Sequence, residues 1–240
     1  HHFGRGLVAT PNDFGTRGDR PTHPQLLDWL ASNLIDNGWR LKAIHRLILT
    51  SATYRMGYQP PESAIDGSGT HPDPLNRLYW RREPKRLDAE AIRDNLLAVG
   101  GRLNSSMYGP GSLDQDHPRR SVYLRIKRSR LIPVLQLFDG PDSLQSIGQR
   151  SITTTAPQAL LMLNNPFVQH SADLFAQRLS RATHTGNADV VTLGFVLAIG
   201  RPPTPEELRL TTPILGDGSV AEIIDFCRVL LCLNEFLYIE

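Results

Sequence analysis

The chain has 240 residues, of which 40% are hydrophobic and 21% charged, a composition that is typical of a globular protein and excludes a disordered one. Its 2 cysteines supply neither a disulfide scaffold nor a four-cysteine zinc site, and no apolar run approaches the roughly 18 residues of a membrane span. The net charge of +2 predicts no partner by itself.

Four capping boxes mark predicted helix starts, each with a Ser or Thr followed three residues later by Glu or Gln. The four boxes are Thr22 with Gln25, Thr155 with Gln158, Thr204 with Glu207, and Ser219 with Glu222. The first three also have a proline in the first helical turn, where its missing N–H costs nothing.

Helical periodicity predicts a mainly α-helical, compact multi-helix domain, with a single domain over 1–240. The predicted helices cover residues 23–37, 41–50, 88–99, 156–163, 166–182, 188–199, 205–210 and 219–234. Residues 57–75 are rich in Gly, Pro, Ser and Asp and are typical of a long loop. The last helix is apolar on most sides, so we expect it in the centre of the core.

A basic segment in the middle of the chain alternates apolar and polar residues over 119–127, so we predict a minor β element near 119–130. Residues 77–130 carry 13 basic and 6 acidic side chains, whereas residues 131–240 carry 6 and 11. Two interpretations stay open: a strand face that pairs with the acidic last third, which we favour, or an anion-binding face. The candidate anion-binding residues are Arg119, Arg120, Arg125 and Lys127.

Several ordered motifs carry a resemblance to a known family. They include HFGRGLV at 2–8, HPQLLDWL at 23–30, ILTSATYR at 48–55, RLDAEAIRD at 86–94, RRSVY at 119–123, FDGPD at 138–142, TAPQAL at 155–160, LNNPF at 163–167 and NEFLY at 234–238. Over essentially the whole chain, the sequence resembles the C-terminal domain of unknown function of planctomycete-type, cytochrome-c-associated exported proteins.

The resemblance implies a larger parent protein, with a haem-binding, cytochrome-like region and a second conserved domain before this one. It also implies export, so the expected location is exported or periplasmic. Because the chain opens inside a family motif, we expect it to be a fragment. The alternative is that His1 and His2 are the remnant of a tag.

Haem attachment is not predicted in this chain. Covalent c-type attachment needs C-x-x-C-H, whereas Cys227 and Cys232 are not followed by a histidine and point about 140° apart on a helix. We expect both to be small core residues. No cofactor is therefore predicted here, and the haem that the resemblance implies would lie in the missing N-terminal region of the parent protein.

Metal binding is also not predicted, because none of the 8 histidines has H-x-x-x-H or H-E-x-x-H spacing. The weak candidates are His2, Asp13, Asp19 and His23, which surround a glycine-rich loop and could bind a divalent metal if that loop folds back. The favoured alternative is that they cap helices and hold turns.

Three carboxylates are weak candidates for catalysis: Asp88, Asp139 and Asp142. A glycosidase needs two carboxyl groups roughly 5–9.5 Å apart, a distance that a sequence does not show. The alternatives are a helix start at Asp88 and a turn at 139–142. No nucleophile elbow or dinucleotide fingerprint accompanies these residues, so the sequence leans against an enzyme.

The predicted function is an interaction or scaffold module of an exported, cytochrome-associated multidomain protein, with the preceding domains of the same polypeptide as partners. The alternative is binding or hydrolysis of an acidic polysaccharide by the basic segment 77–130 and nearby carboxylates. Nucleic acid is disfavoured as a partner, because the charge outside this segment is close to neutral and the resemblance implies export.

Overall fold

A computed structural model of the chain describes residues 2–58, 73–127, 129, 131–141, 147–182 and 186–239. The fold is mainly α-helical with a small two-stranded sheet, as the sequence predicts. No helix among these described residues combines the length and the apolarity that a bilayer crossing requires.

The chain divides into two compact units. Unit 1 contains residues 1–85, 147–149 and 240, and unit 2 contains residues 86–146 and 150–239. The single domain over 1–240 stays a prediction.

Unit 1 contains two consecutive helices, α1 (Pro24–Asp36) and α2 (Leu41–Thr50). The capping box predicted at Thr22 is wrong, because α1 begins after His23 without a side-chain cap. The Thr22 hydroxyl instead donates to the carbonyl oxygen of Leu7 at 3.3 Å. The fixed φ of Pro24 still starts the helix.

A two-stranded antiparallel ribbon is formed by β1 (Lys85–Arg86), whose second residue begins unit 2, and β2 (Tyr238–Ile239), which ends it. Beside it, the Leu87 N–H donates to the Leu237 carbonyl at 2.8 Å. Between the strands lie α3 (Ala89–Val99), α4 (Pro133–Leu137), α5 (Ala156–Asn164), α6 (Pro166–Ala182), α7 (Asn187–Ala198), α8 (Pro205–Thr211), α9 (Val220–Cys232) and α10 (Asn234–Leu237). Two short 3-10 turns cover Ser121–Tyr123 and Thr212–Leu215.

The capping boxes predicted at Thr155, Thr204 and Ser219 are confirmed, and they begin α5, α8 and α9. At Thr204 both hydrogen bonds of the capping box are formed. The Thr204 N–H donates to a Glu207 carboxylate oxygen at 2.7 Å, and the Glu207 N–H donates to Thr204 Oγ1 at 3.2 Å. These starts depend only on residues three apart, which is why the sequence reveals them.

The core of unit 2 is built on α6 and α9, which pack against each other more extensively than any other pair of described elements. The buried face of α9 consists of Ile223, Phe226, Cys227, Leu230 and Leu231. The central position predicted for this helix is therefore confirmed.

A close contact between α7 and α9 depends on Gly194. A Cβ atom at this position would lie 2.7 Å from a ring carbon of Phe226, whose side chain is fully buried. We expect Gly194→Ala to lower the free energy of unfolding by about 1 kcal/mol, because overpacking of about 1–3 kcal/mol outweighs a helix-propensity gain of about 0.5–1 kcal/mol. Urea unfolding measures the change.

The double variant Gly194→Ala with Phe226→Leu is the control, because the smaller side chain removes the clash. It should be destabilised by less than the sum of the two single variants. A Gly194→Ala protein more stable than the wild type would contradict this close packing.

The segment predicted as a strand, 119–127, is instead a 3-10 turn flanked by isolated bridges, which pair Asn104 with Arg119 and Ser112 with Leu124. The β character near 119–130 is limited to such bridges among the described residues. Val122, one of the apolar residues of the alternating pattern, is 72% exposed. The predicted half-buried strand face is therefore wrong.

Candidate functional site

The basic segment is organised around Arg93, whose side chain is fully buried on α3. Burial lowers the pKa of Arg93, and the nearby Asp94 opposes this effect. The Arg93 guanidinium donates to the backbone oxygens of Gln115 at 2.7 and 2.9 Å, of His117, and of Arg119 at 3.0 Å, and to Ser121 Oγ at 3.1 Å. One buried cation therefore fixes the backbone of residues 115–121.

Asp94 completes this anchor from the next position of α3. Its carboxylate accepts hydrogen bonds from both the N–H and the hydroxyl of Ser121, each at 2.7 Å. The same carboxylate lies 3.7 Å from Nε of Arg120, whose side chain is 63% exposed. Arg120 therefore keeps most of its guanidinium open to solvent.

Arg119, the first anion-binding candidate, has a mainly structural role in this arrangement. Its guanidinium lies over the Tyr123 ring at 3.6 Å from the centroid. It also donates to three backbone oxygens of the preceding loop, those of Ser106 at 3.3 Å, Pro110 at 3.2 Å and Tyr108. Because all these partners are neutral, they leave its charge uncompensated.

Arg125 and Lys127 are exposed, and neither forms an ion pair within the described part of the chain. The predicted pairing between the basic segment 77–130 and the acidic last third is seen for Arg86 and Asp139. In the other ion pairs formed by described acids of the last third, the partner is an arginine of that same third. The clearest example is Arg201, which bonds Glu207 and Glu235 at 2.7 Å and lowers the pKa of Glu207 to about 2.

One exposed aromatic residue in this region was missed by sequence reasoning. Tyr108 is 80% exposed and has a φ of 67°, in the left-handed region that a bulky side chain seldom adopts. Its N–H donates to the Tyr123 hydroxyl oxygen at 2.7 Å. The only available signal was the Gly109–Pro110 pair after it, which indicates a turn but not the direction of the ring.

Among the catalytic candidates, Asp139 forms a tight pair with Arg86, which is only 4% exposed. Its carboxylate lies 2.7 Å from the Arg86 guanidinium and accepts from the Thr153 N–H at 2.8 Å. Burial opposes ionisation, but these hydrogen bonds outweigh it and keep the pKa of Asp139 below its usual value. A general acid needs the opposite shift.

Asp88 lies at the N-cap of α3 but makes no side-chain capping bond. Its neighbour Glu90 instead forms a two-pronged pair with Arg150 at 2.6 and 2.9 Å. Asp142 lies outside the described residues. Catalysis by these carboxylates stays a prediction.

The metal-binding candidates of unit 1 are not gathered into one site. His2 Nε2 lies 2.8 Å from Nδ1 of His45, and the His23 ring stacks on Tyr79 at 5.6 Å between centroids. Asp13 accepts a turn hydrogen bond from the Gly15 N–H at 3.2 Å.

Asp19 also has a local role, since its N–H donates to Thr10 Oγ1 at 3.0 Å. Within the described ranges, no group of three or more His, Cys, Asp or Glu residues could hold a metal ion. Burial, followed by the charge of His45, lowers the pKa of His2.

The two cysteines lie on α9 as free thiols. Cys227 is buried in the core, and burial raises the pKa of both Cys227 and Cys232. Neither thiol is therefore activated as a nucleophile.

Large apolar side chains are exposed on and between α1 and α2, which bury none of their residues. Trp29 on α1 is 48% exposed, Leu41 on α2 is 62% exposed, and Trp39 between the helices is 70% exposed. We call these two helices and the residues joining them the α1–α2 surface.

Comparison with known proteins identifies a family. The family described as PSD1, a protein of unknown function (DUF1553), matches residues 1–215, and the chain belongs to it. No curated protein and no solved structure matches the chain.

Proposed function

We propose that this chain is an interaction module, which docks through the α1–α2 surface onto another domain of a larger, exported and cytochrome-associated polypeptide. The observation that carries the proposal is the complete lack of buried residues on α1 and α2. The sequence resemblance supports the identity of the partner, because it implies a second conserved domain and a haem-binding region before this one.

The size of the exposed apolar side chains supports a docking role. Besides Trp29, Trp39 and Leu41, the surface exposes Leu26, Leu27, Ile35, Leu47 and Leu49. Extended apolar patches on a protein surface mark contact sites, and tryptophan is enriched among the residues that dominate binding energy. Short helices without a buried face are also marginal alone, so a docked partner stabilises them.

The charges bordering this surface favour a protein partner over a polyanion. The negative charges of Asp28 and Asp36 on α1 nearly balance the positive charges of the nearby Arg40, Lys42 and Arg46. A polyanion is drawn to a strongly basic surface, whereas an apolar surface with a mixed rim fits a protein domain.

Amide hydrogen exchange on the 240-residue chain and on its parent polypeptide tests the proposal. We expect the amides of α1 and α2 to exchange about tenfold or more slowly in the parent, because docking suppresses local opening, while those of α6 and α9 stay unchanged. Equal exchange of α1 and α2 in both proteins would contradict the proposal.

Two variants of the parent polypeptide make the test specific. Trp29→Ser should restore fast exchange in α1 and α2. Leu163→Ser is the matched control, because Leu163 on α5 is an exposed apolar residue outside the proposed contact, 55% exposed. Loss of protection in both variants alike would contradict docking through α1 and α2.

A further inference from the structure

We infer that a second surface, formed by residues 104–112 and 119–127 of unit 2, binds an anionic polysaccharide. In this arrangement a sugar ring stacks on Tyr108, and its sulfate or carboxylate groups pair with Arg120, Arg125 and Lys127. We call residues 104–112 and 119–127 the loop surface. The inference is independent of the docking proposed for α1 and α2.

The backbone of Tyr108 is held in an unfavourable conformation that points its ring into solvent. Its φ of 67° is followed by a φ of 89° at Gly109, so two successive residues have left-handed backbone. Glycine accepts this conformation freely, but a tyrosine does so at a cost. Because Tyr108 is 80% exposed, packing of its side chain does not offset that cost.

Specific contacts hold this turn in place. The Tyr123 hydroxyl accepts from the Tyr108 N–H, and the Arg119 guanidinium donates to the Tyr108 carbonyl. Arg119 and Tyr123 are themselves stacked, and Arg93 donates to the backbone carbonyl of Arg119. The backbone that carries the exposed ring is therefore preorganised, which lowers the entropic cost of binding a ligand.

The charge of the loop surface is positive and accessible. Arg125 lies beside the turn, since a Cβ atom placed on Gly111 would be 2.8 Å from its Cγ. Arg125 and Lys127 lack a carboxylate partner in the described part of the chain, and Arg120 is mostly open to solvent. Arginine forks match sulfate and carboxylate groups with paired hydrogen bonds.

The combination of one open ring with several cations favours a charged sugar over a nucleic acid. The C–H face of a sugar ring carries slight positive charge and is attracted to the negative face of an aromatic ring. Single-stranded nucleic acids are instead bound by successive aromatic rings. On the described loop surface Arg119 covers the ring of Tyr123, which leaves the ring of Tyr108 open.

Calorimetric titration of the 240-residue chain with dextran sulfate tests the inference, with uncharged dextran as the ligand control. We expect binding of dextran sulfate that weakens between roughly 50 and 300 mM NaCl, and no binding of dextran. Polygalacturonate, which carries carboxylates, distinguishes a preference for uronic acids from one for sulfates. Failure of both polyanions to bind, or equally tight binding of oligo-dT, would overturn the inference.

Substitutions locate the site on the loop surface. Tyr108→Asn removes the ring but tolerates left-handed backbone, and it should weaken dextran sulfate binding by about tenfold, whereas Tyr108→Phe should leave it unchanged. Phe14→Ala removes an aromatic side chain of similar exposure, 76%, in unit 1 and should have no effect.

The cationic part of the site is tested in the same way. Arg125→Ala should weaken binding at low salt, whereas Arg181→Ala, an exposed arginine on α6, should not. Equal loss in both arginine variants, or wild-type affinity of Tyr108→Asn, would contradict the site.

Discussion

Replacement of Arg93 by methionine is expected to lower the free energy of unfolding by about 3–5 kcal/mol. Methionine fills a similar volume, so the loss arises from hydrogen bonds rather than from a cavity. Three backbone carbonyls and the Ser121 hydroxyl lose their donor beside a side chain that is fully buried. Each unsatisfied buried acceptor costs about 1–3 kcal/mol, although such costs are not additive.

Urea unfolding followed by circular dichroism measures this loss. Arg102→Met is the matched control, because Arg102 donates to the Asp116 carbonyl at 3.0 Å near the surface, and its replacement should cost less than about 1 kcal/mol. If the two variants were equally stable, the backbone of residues 115–121 would not depend on Arg93.

Asp139→Ala is expected to cost about 3 kcal/mol, because it leaves the guanidinium of Arg86 buried without its carboxylate. Asp139→Asn keeps a hydrogen-bond acceptor but loses the charge, so we expect about 1–2 kcal/mol. The same urea experiment measures both. Glu83→Gln is the control, since Glu83 pairs with Arg81 at the surface and should contribute less than about 0.5 kcal/mol.

The dependence on pH identifies the contribution of the Asp139 carboxylate. Because the pKa of Asp139 is lowered by folding, its stabilisation is present above the usual carboxyl pKa and is lost as the pH falls through the lowered value. The difference in unfolding free energy between the wild type and Asp139→Asn should therefore shrink from about pH 7 to about pH 2. A difference that grows toward low pH would contradict this assignment.

Helices could be predicted from the sequence where their determinants are local. The boxes at Thr155, Thr204 and Ser219 involve residues three apart, and each begins a helix. Thr22 has the same pattern, but its hydroxyl bonds a carbonyl fifteen residues earlier in the chain. A tertiary hydrogen bond therefore replaced the local one.

The segment 119–127 could not be predicted from its alternating pattern, for a related reason. Arg93 and Asp94 lie more than twenty residues earlier in the chain, and they bind the Arg119 carbonyl oxygen and the Ser121 N–H, which a regular strand would offer to a neighbour. The candidate site residues depended on similar distant partners. The carboxylate of Asp139 is paired with Arg86. The backbone of Tyr108 is held by Tyr123 and Arg119.

The β1–β2 ribbon gives unit 2 a mechanical property. Since the strands are antiparallel, the chain enters at Lys85 and leaves at Ile239 on the same end of the ribbon. Tension between these two ends therefore loads the hydrogen bonds of the ribbon one after another rather than all at once. At rest, the first and last residues of unit 2 therefore lie close together.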